Sequence, residues 1–142
     1  CRAQQAFTSA DQTKYAKAVE SSGKGRYVES NRLLRELNKK YPSNADVYYY
    51  LGFNAAKQET NVAAIRRYFA QLRRVSPNYP NAVAHYYWGV IHYTDEHFDD
   101  AVAEFTRFFD IANAQGTPEI ALPLGGQFAD TRRYAVGKIT VR

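Results

Sequence analysis

Methionine is absent from the 142 residues, and cysteine and tryptophan each occur once, as Cys1 and Trp88. No stretch approaches the roughly 20 consecutive apolar residues that a membrane-spanning helix needs. There is no glycine-rich phosphate loop and neither a serine- nor a cysteine-based catalytic arrangement. Those gaps remove several enzyme classes, and no cofactor is expected. Net positive charge is also missing where a nucleic-acid binder would want it throughout. The overall charge of +5 divides into +7 over residues 24–75 (11 basic, 4 acidic) and −6 over residues 76–125 (1 basic, 7 acidic). A basic stretch beside an acidic one suits a patterned protein partner better than a uniform polyanion, so no nucleic acid is expected.

Aromatic residues are plentiful: 12 Tyr and 8 Phe beside the single Trp. Much of the core volume must therefore be rings, which need small neighbours. Such neighbours recur with a period. Leu51-Gly52, Ala64 and Tyr68 are echoed 37 residues later by Trp88-Gly89, Ala101 and Phe105. A weaker copy lies 34 residues before the first, where Ala18, Ser30 and Leu34 take the same places and Pro42 closes the unit. A large residue plus Gly, a small residue twelve on and an aromatic four later is a repeat of paired helices. Two departures stand out. Lys17-Ala18 replaces the large-residue–Gly pair in the first copy, and the closing proline of the second, Pro77, falls one place late.

Helical periodicity and stop signals place helices at 11–21, 26–41, 45–57, 61–75, 81–94 and 97–114. Asn44 is the expected N-cap of the third, with Asp46 in its first turn. Thr60 or Asn61 is expected to cap the fourth, which should bury Ala64, Ile65, Tyr68 and Leu72. Asp95-Glu96 forms a tight turn, and Gly116-Thr-Pro118 stops the last helix. Residues 116–142 are expected to be a loop followed by a capping helix over 127–142, with a strand as the alternative, leading to a possible further domain.

The motif residues resemble the tetratricopeptide repeat family over residues 11–114. That resemblance implies an all-α, right-handed solenoid of three helix pairs, with repeats at 11–44, 45–81 and 82–115. It further implies that the first helix of each pair lines a concave groove. Tyr15, Tyr49 and Tyr86 then take the fifth position of each repeat and Val19, Phe53 and Val90 the ninth, with Tyr93 added by the third. The expected groove is an aromatic strip rimmed by hydroxyls that holds a peptide segment of a protein partner. Cover by the chain's own ends is the alternative for these rings. On the second helices, Arg32, Arg35 and Lys39 form one basic row and Arg66, Arg67, Arg73 and Arg74 another. These rows are either solvated faces or docking sites for an acidic partner or anionic lipid.

Cys1 at the head of a chain without methionine is expected to be the lipid-attachment residue of a mature bacterial lipoprotein, with residues 1–10 as a polar tether. A free thiol is the alternative. Cys1 with tyrosine-rich repeats resembles the N-terminal region of Bacteroidetes OmpA-family lipoproteins of type IX secretion. That resemblance implies a non-catalytic scaffold on the periplasmic face of the outer membrane, joining secretion or envelope components. BamD-like lipoproteins of β-barrel assembly are the second resemblance, through Tyr79-Pro80 just before a helix. A metal-dependent enzyme built on His92 and His97 with their acidic neighbours is a reading of another class. No pair of histidines shares a helix face there, so no metal is expected.

Overall fold

The structure, a computed structural model, describes residues 6–58 and 62–114. It is all-α over these residues, with six helices and no strand. They are α1 (Ser9–Gly23), α2 (Tyr27–Lys40), α3 (Ala45–Gln58), α4 (Val62–Val75), α5 (Ala82–Thr94) and α6 (Phe98–Ala114). No helix among the described residues is long and apolar enough to cross a membrane. The chain divides into two compact units, Cys1–Pro77 and Asn78–Arg142. The first holds α1 to α4 and the second α5 and α6. Cys1, the cap at Thr60 or Asn61, and the loop and capping helix expected over 116–142 lie outside the described residues.

Helix starts follow side-chain chemistry. Thr8 accepts a hydrogen bond from the Asp11 amide at 3.2 Å, so α1 begins two residues before the periodicity suggests. Asn44 caps α3 through the Val47 amide at 3.2 Å, as expected, and Asn81 caps α5 through that of Val83 at 2.9 Å. Two helices end alike. At α1, Arg26 N–H reaches the Ser21 carbonyl and Gly25 N–H that of Ser22. At α5, His97 N–H reaches the His92 carbonyl and Glu96 N–H that of Tyr93. Both are Schellman closures, which put their penultimate residue in the left-handed region. Gly25 (φ 77°) adopts that conformation freely, whereas Glu96 (φ 62°) must bear its Cβ there.

In the first unit, α2 presents Ser30, Leu33, Leu34 and Leu37 as one buried stripe. Together with Ala18, Tyr41, Val47 and Leu51 they form a continuous core, flanked by Phe7, Tyr15, Tyr50 and Tyr68. Fully burying a leucine such as Leu34 contributes about 1.5–3 kcal/mol. A polar network crosses this apolar body. Asn54, wholly buried, accepts from Ser22 Oγ at 2.6 Å and donates to Ser30 Oγ (3.0 Å) and Asn31 Oδ1 (2.9 Å). Ser30 Oγ donates in turn to the Ala18 carbonyl at 2.8 Å. Helices α1, α2 and α3 are thus tied in one register.

In the second unit α5 is buried nearly all round, through His85, Tyr86, Tyr87, Trp88, Gly89 and Val90. Against it α6 packs Ala101, Phe105, Phe108 and Ala112. The His85 Nε2–H donates to the Tyr79 carbonyl at 2.7 Å, while Nδ1 faces the buried Glu104 carboxylate at 3.5 Å.

The small-residue pattern is a close approach of helix to ring. A Cβ built on Gly52 would meet the Phe69 ring at 2.8 Å, and one on Gly89 would overlap that of Phe105. Here one expectation is corrected: Tyr68 was to be the buried aromatic of α4, but Phe69 is (0% exposed) and Tyr68 is only half-buried. The reason is an extra residue. Helix α4 starts ten residues after Gly52, whereas α2 starts nine after Ala18 and α6 nine after Gly89. Counted within their own helices, Leu34, Phe69 and Phe105 are each the eighth residue. The same insertion explains why Pro77 falls one place late.

Candidate partner-binding site

Each tyrosine proposed for the groove has a definite place. Tyr49 is 3% exposed, with its ring 5.0 Å from that of Tyr50 and 6.5 Å from Phe69. Tyr86 is 1% exposed, with ring neighbours Phe108 at 5.3 Å and Phe105 at 5.7 Å. Val90 is buried as well. These three are core residues of their own units, where an exposed, hydroxyl-rimmed strip was expected. The physical cause is local: with glycine at the crossing, the second helix comes close enough for its rings to pack on the fifth-position tyrosine.

Tyr15, Val19, Phe53 and Tyr93 are half-buried. Tyr15 is covered from within its own unit. Phe7 stacks at 5.3 Å on it and at 4.8 Å, edge-on, against Tyr41. Within the expected tether, residues 1–10, Phe7 packs on the unit, Thr8 caps α1 and Ser9 and Ala10 begin it. Burial first, and the Asp46 carboxylate second, push the Tyr15 and Tyr50 phenols above the usual tyrosine range, so both stay neutral donors. Beside them, Tyr41 Oη donates to Asp11 Oδ2 at 2.6 Å and accepts from the Thr8 amide at 3.2 Å. Lys40 Nζ pairs with the same carboxylate oxygen at 2.7 Å. The Lys40 and Tyr41 donors hold the Asp11 carboxyl down at about 2.

The basic rows separate on inspection. Arg32 faces Glu36 across an exposed i,i+4 pair at 3.6 Å, and Arg35 and Lys39 are exposed. This row reads as a solvated face. The α4 row does more. Arg67, Gln71 and Arg74, at spacings of four and three, share one face of α4 and line a recess of about 410 Å³ with Tyr68. Asn38 of α2, Pro42 and Ser43 of the following turn, and Tyr48 of α3 complete the wall. Arg66 and Arg73 do not line this recess.

The chemistry of the recess is one-sided. None of its eight lining residues is acidic. The Arg67 guanidinium lies 4.9 Å from the Tyr68 ring centroid, a cation–π contact. Arg74 Nε donates to Gln71 Oε1 at 2.8 Å. Tyr48 Oη is committed to the Pro42 carbonyl at 2.7 Å. Asn38 adds a buried amide nitrogen with no hydrogen-bond partner among the described residues. Two planar cations and an unmatched amide donor suit a carboxylate, which accepts bidentately from guanidinium. The Arg row was visible in the sequence. Its opposite wall was not, because Asn38 and Tyr48 reach it only through tertiary packing.

His92 is half-buried and His97 exposed, both at the α5–α6 turn, with ring centroids 6.1 Å apart. They do meet, across the turn rather than on one helix face. A scan of protein families finds no model that matches the chain, and a search among curated proteins finds no match.

Proposed function

We propose that the chain is a non-catalytic docking module that holds an acidic segment of a protein partner in the α2–α4 recess. The observation that carries this reading is a recess lined by Arg67, Arg74 and Asn38 without a single carboxylate. Small-residue crossings at Gly52 and Gly89, each opposite the eighth residue of the next helix, and the Ser30 bond to the Ala18 carbonyl support a tetratricopeptide-like scaffold. Such scaffolds work by holding other molecules. The proposed setting is that of a lipoprotein anchored through Cys1 on the periplasmic face of the outer membrane, joining components of a secretion machinery of type IX kind. The tyrosines at 49 and 86 act in this reading as the rigid interior behind the binding face.

The test is titration of the chain with glutamate- and aspartate-rich peptides, followed by heteronuclear NMR. The Arg67, Gln71 and Arg74 signals should move together, and affinity should fall as salt rises, because the guanidiniums are partly solvated. Arg67→Glu with Arg74→Glu should abolish binding while helicity stays unchanged. Equal affinity in that double variant overturns the docking reading. Anionic vesicles binding the natural chain, in place of the peptides, would overturn it in favour of lipid. The anchor is tested separately, since Cys1→Ser should release the protein from membranes.

A further inference from the structure

The α5–α6 turn gathers two of the chain's three histidines beside an aspartate. The His97 amide donates to the His92 carbonyl at 2.8 Å, so the Schellman closure stacks one residue on the other. Asp100 lies three residues further on, in the first turn of α6 and on the same side as His97. One ligand atom from each of His92, His97 and Asp100 lies within 4.8 Å of the other two. The structure assigns this cluster as a binding site for a divalent transition-metal ion of the zinc, nickel and copper class.

Donor chemistry sets the class. Two imidazoles and a carboxylate suit zinc, copper and nickel, whereas magnesium and calcium want all-oxygen shells. A tetrahedral zinc with bonds near 2.1 Å holds its donors about 3.4 Å apart. Rotation of three side chains that are half-buried or exposed closes the remaining gap of at most about 1.4 Å. Three protein ligands leave at least one position for water, as in open sites. The recess beside the turn, lined by Glu96, His97, Phe98, Asp99 and Asp100, gives the ion its approach.

Charge favours a cation as well. From residue 75 to residue 106 there is no lysine or arginine, while Asp95, Glu96, Asp99, Asp100 and Glu104 are all acidic. The remaining histidine does not compete, because His85 is buried and its Nε2–H is held by the Tyr79 carbonyl. The ion would join the last turn of α5 to the first turn of α6 and so clamp the hairpin, stabilising the folded form by mass action. The site lies in the second unit and owes nothing to the docking recess of the first.

The experiment is zinc titration by calorimetry on untagged full-length chain carrying Cys1→Ser, so that the thiol cannot contribute. One ion per chain is expected, with a raised melting temperature and imidazole shifts at His92 and His97 but none at His85. His92→Ala and His97→Ala should each weaken binding by roughly 100-fold, comparable with or above the loss of a supporting partner. Asp100→Asn, which keeps the side-chain shape at an exposed position, should weaken it by about tenfold and guards against misfolded variants. Magnesium in excess should not displace the zinc. No saturable uptake at about millimolar zinc, affinity unchanged in the histidine variants, or equal competition by magnesium would each overturn the assignment.

Discussion

The α3–α4 and α5–α6 hairpins are built on one crossing, a glycine in the eighth place of the first helix against a phenyl ring in the eighth place of the second. Their surroundings differ. In the first unit the glycine-bearing helix α3 is also tied, through Asn54, to three side chains of α1 and α2. In the second the crossing is supported by aromatic packing, Tyr86 on Phe105 and Phe108. The first unit closes its α1–α2 turn on a glycine, while the second closes its α5–α6 turn on Glu96. The crossing, with a tyrosine three places before each glycine set against the opposing ring, is thus common to both hairpins, and what surrounds it is not.

The largest expected effect tests the common part. Gly89→Ala drives a methyl into the fully buried Phe105 ring. Overpacking destabilises by about 1–3 kcal/mol and occasionally more, and an overlap this severe belongs at the upper end. Against that, alanine's better helix propensity returns only about 1 kcal/mol. Gly52→Ala should show the same sign with a smaller size, since the contact with Phe69 is less severe. Urea midpoints in that order support the shared crossing; a stabilised Gly89→Ala would break it.

The next test separates the supports. Asn54→Ala removes the acceptor of Ser22 and the donor to Ser30 and Asn31, leaving the buried Ser22 hydroxyl without its acceptor while Ser30 keeps its bond to the Ala18 carbonyl. A loss of about 1 kcal/mol, the lower end for one unmatched buried group, is expected. Hydrogen exchange should speed in α1, α2 and α3 and stay unchanged in α5 and α6. Acid should also distinguish the units. The Asp11 carboxyl is held at about 2 by Lys40 and Tyr41, below its ordinary 3.8. Its folded value is depressed, so its contribution is complete above about pH 4 and is lost as pH falls toward 2. Asp11→Asn should flatten that part of the acid unfolding curve, followed by circular dichroism.

Helix periods were readable because stripes such as Leu33, Leu34 and Leu37 follow geometry alone, and five of the six helices begin and end within a residue of their expected bounds. Helix α1 was the exception, since its Thr8 cap precedes the first periodic residue. The site was less legible. Tyr68 and Phe69 are adjacent rings, and only the extra residue before α4 decides which is buried. Asn54 sits in an aromatic run and looks like an interruption until Ser22 and Ser30 are seen to converge on it. Tyr49 and Tyr86 carry hydroxyls that suit a rim or a core equally, and the choice belongs to packing. Asn38 and Arg67 line opposite walls of one recess although 29 positions separate them, a distance no local spacing encodes.

The smallest expected effect concerns the two turns. Gly25 and Glu96 occupy the same place in the same closure, with φ 77° and 62°. A Cβ in the left-handed region is disfavoured by about 1–2 kcal/mol relative to the right-handed one, and glycine escapes that penalty. Glu96→Gly should therefore stabilise the second unit, by somewhat less than the full difference because glycine's unfolded chain is freer. About 0.5–1 kcal/mol is the expected gain, read as a rise in thermal midpoint. The reverse change, Gly25→Glu, should destabilise the first unit by a similar amount, since nothing lies within 4 Å of a Cβ there and only the backbone resists. If the gain and the loss are of like size, the strain at Glu96 is conformational and local to the turn. A loss on Glu96→Gly would instead mean that the glutamate side chain contributes interactions worth more than the strain it imposes on the turn holding His92 against His97.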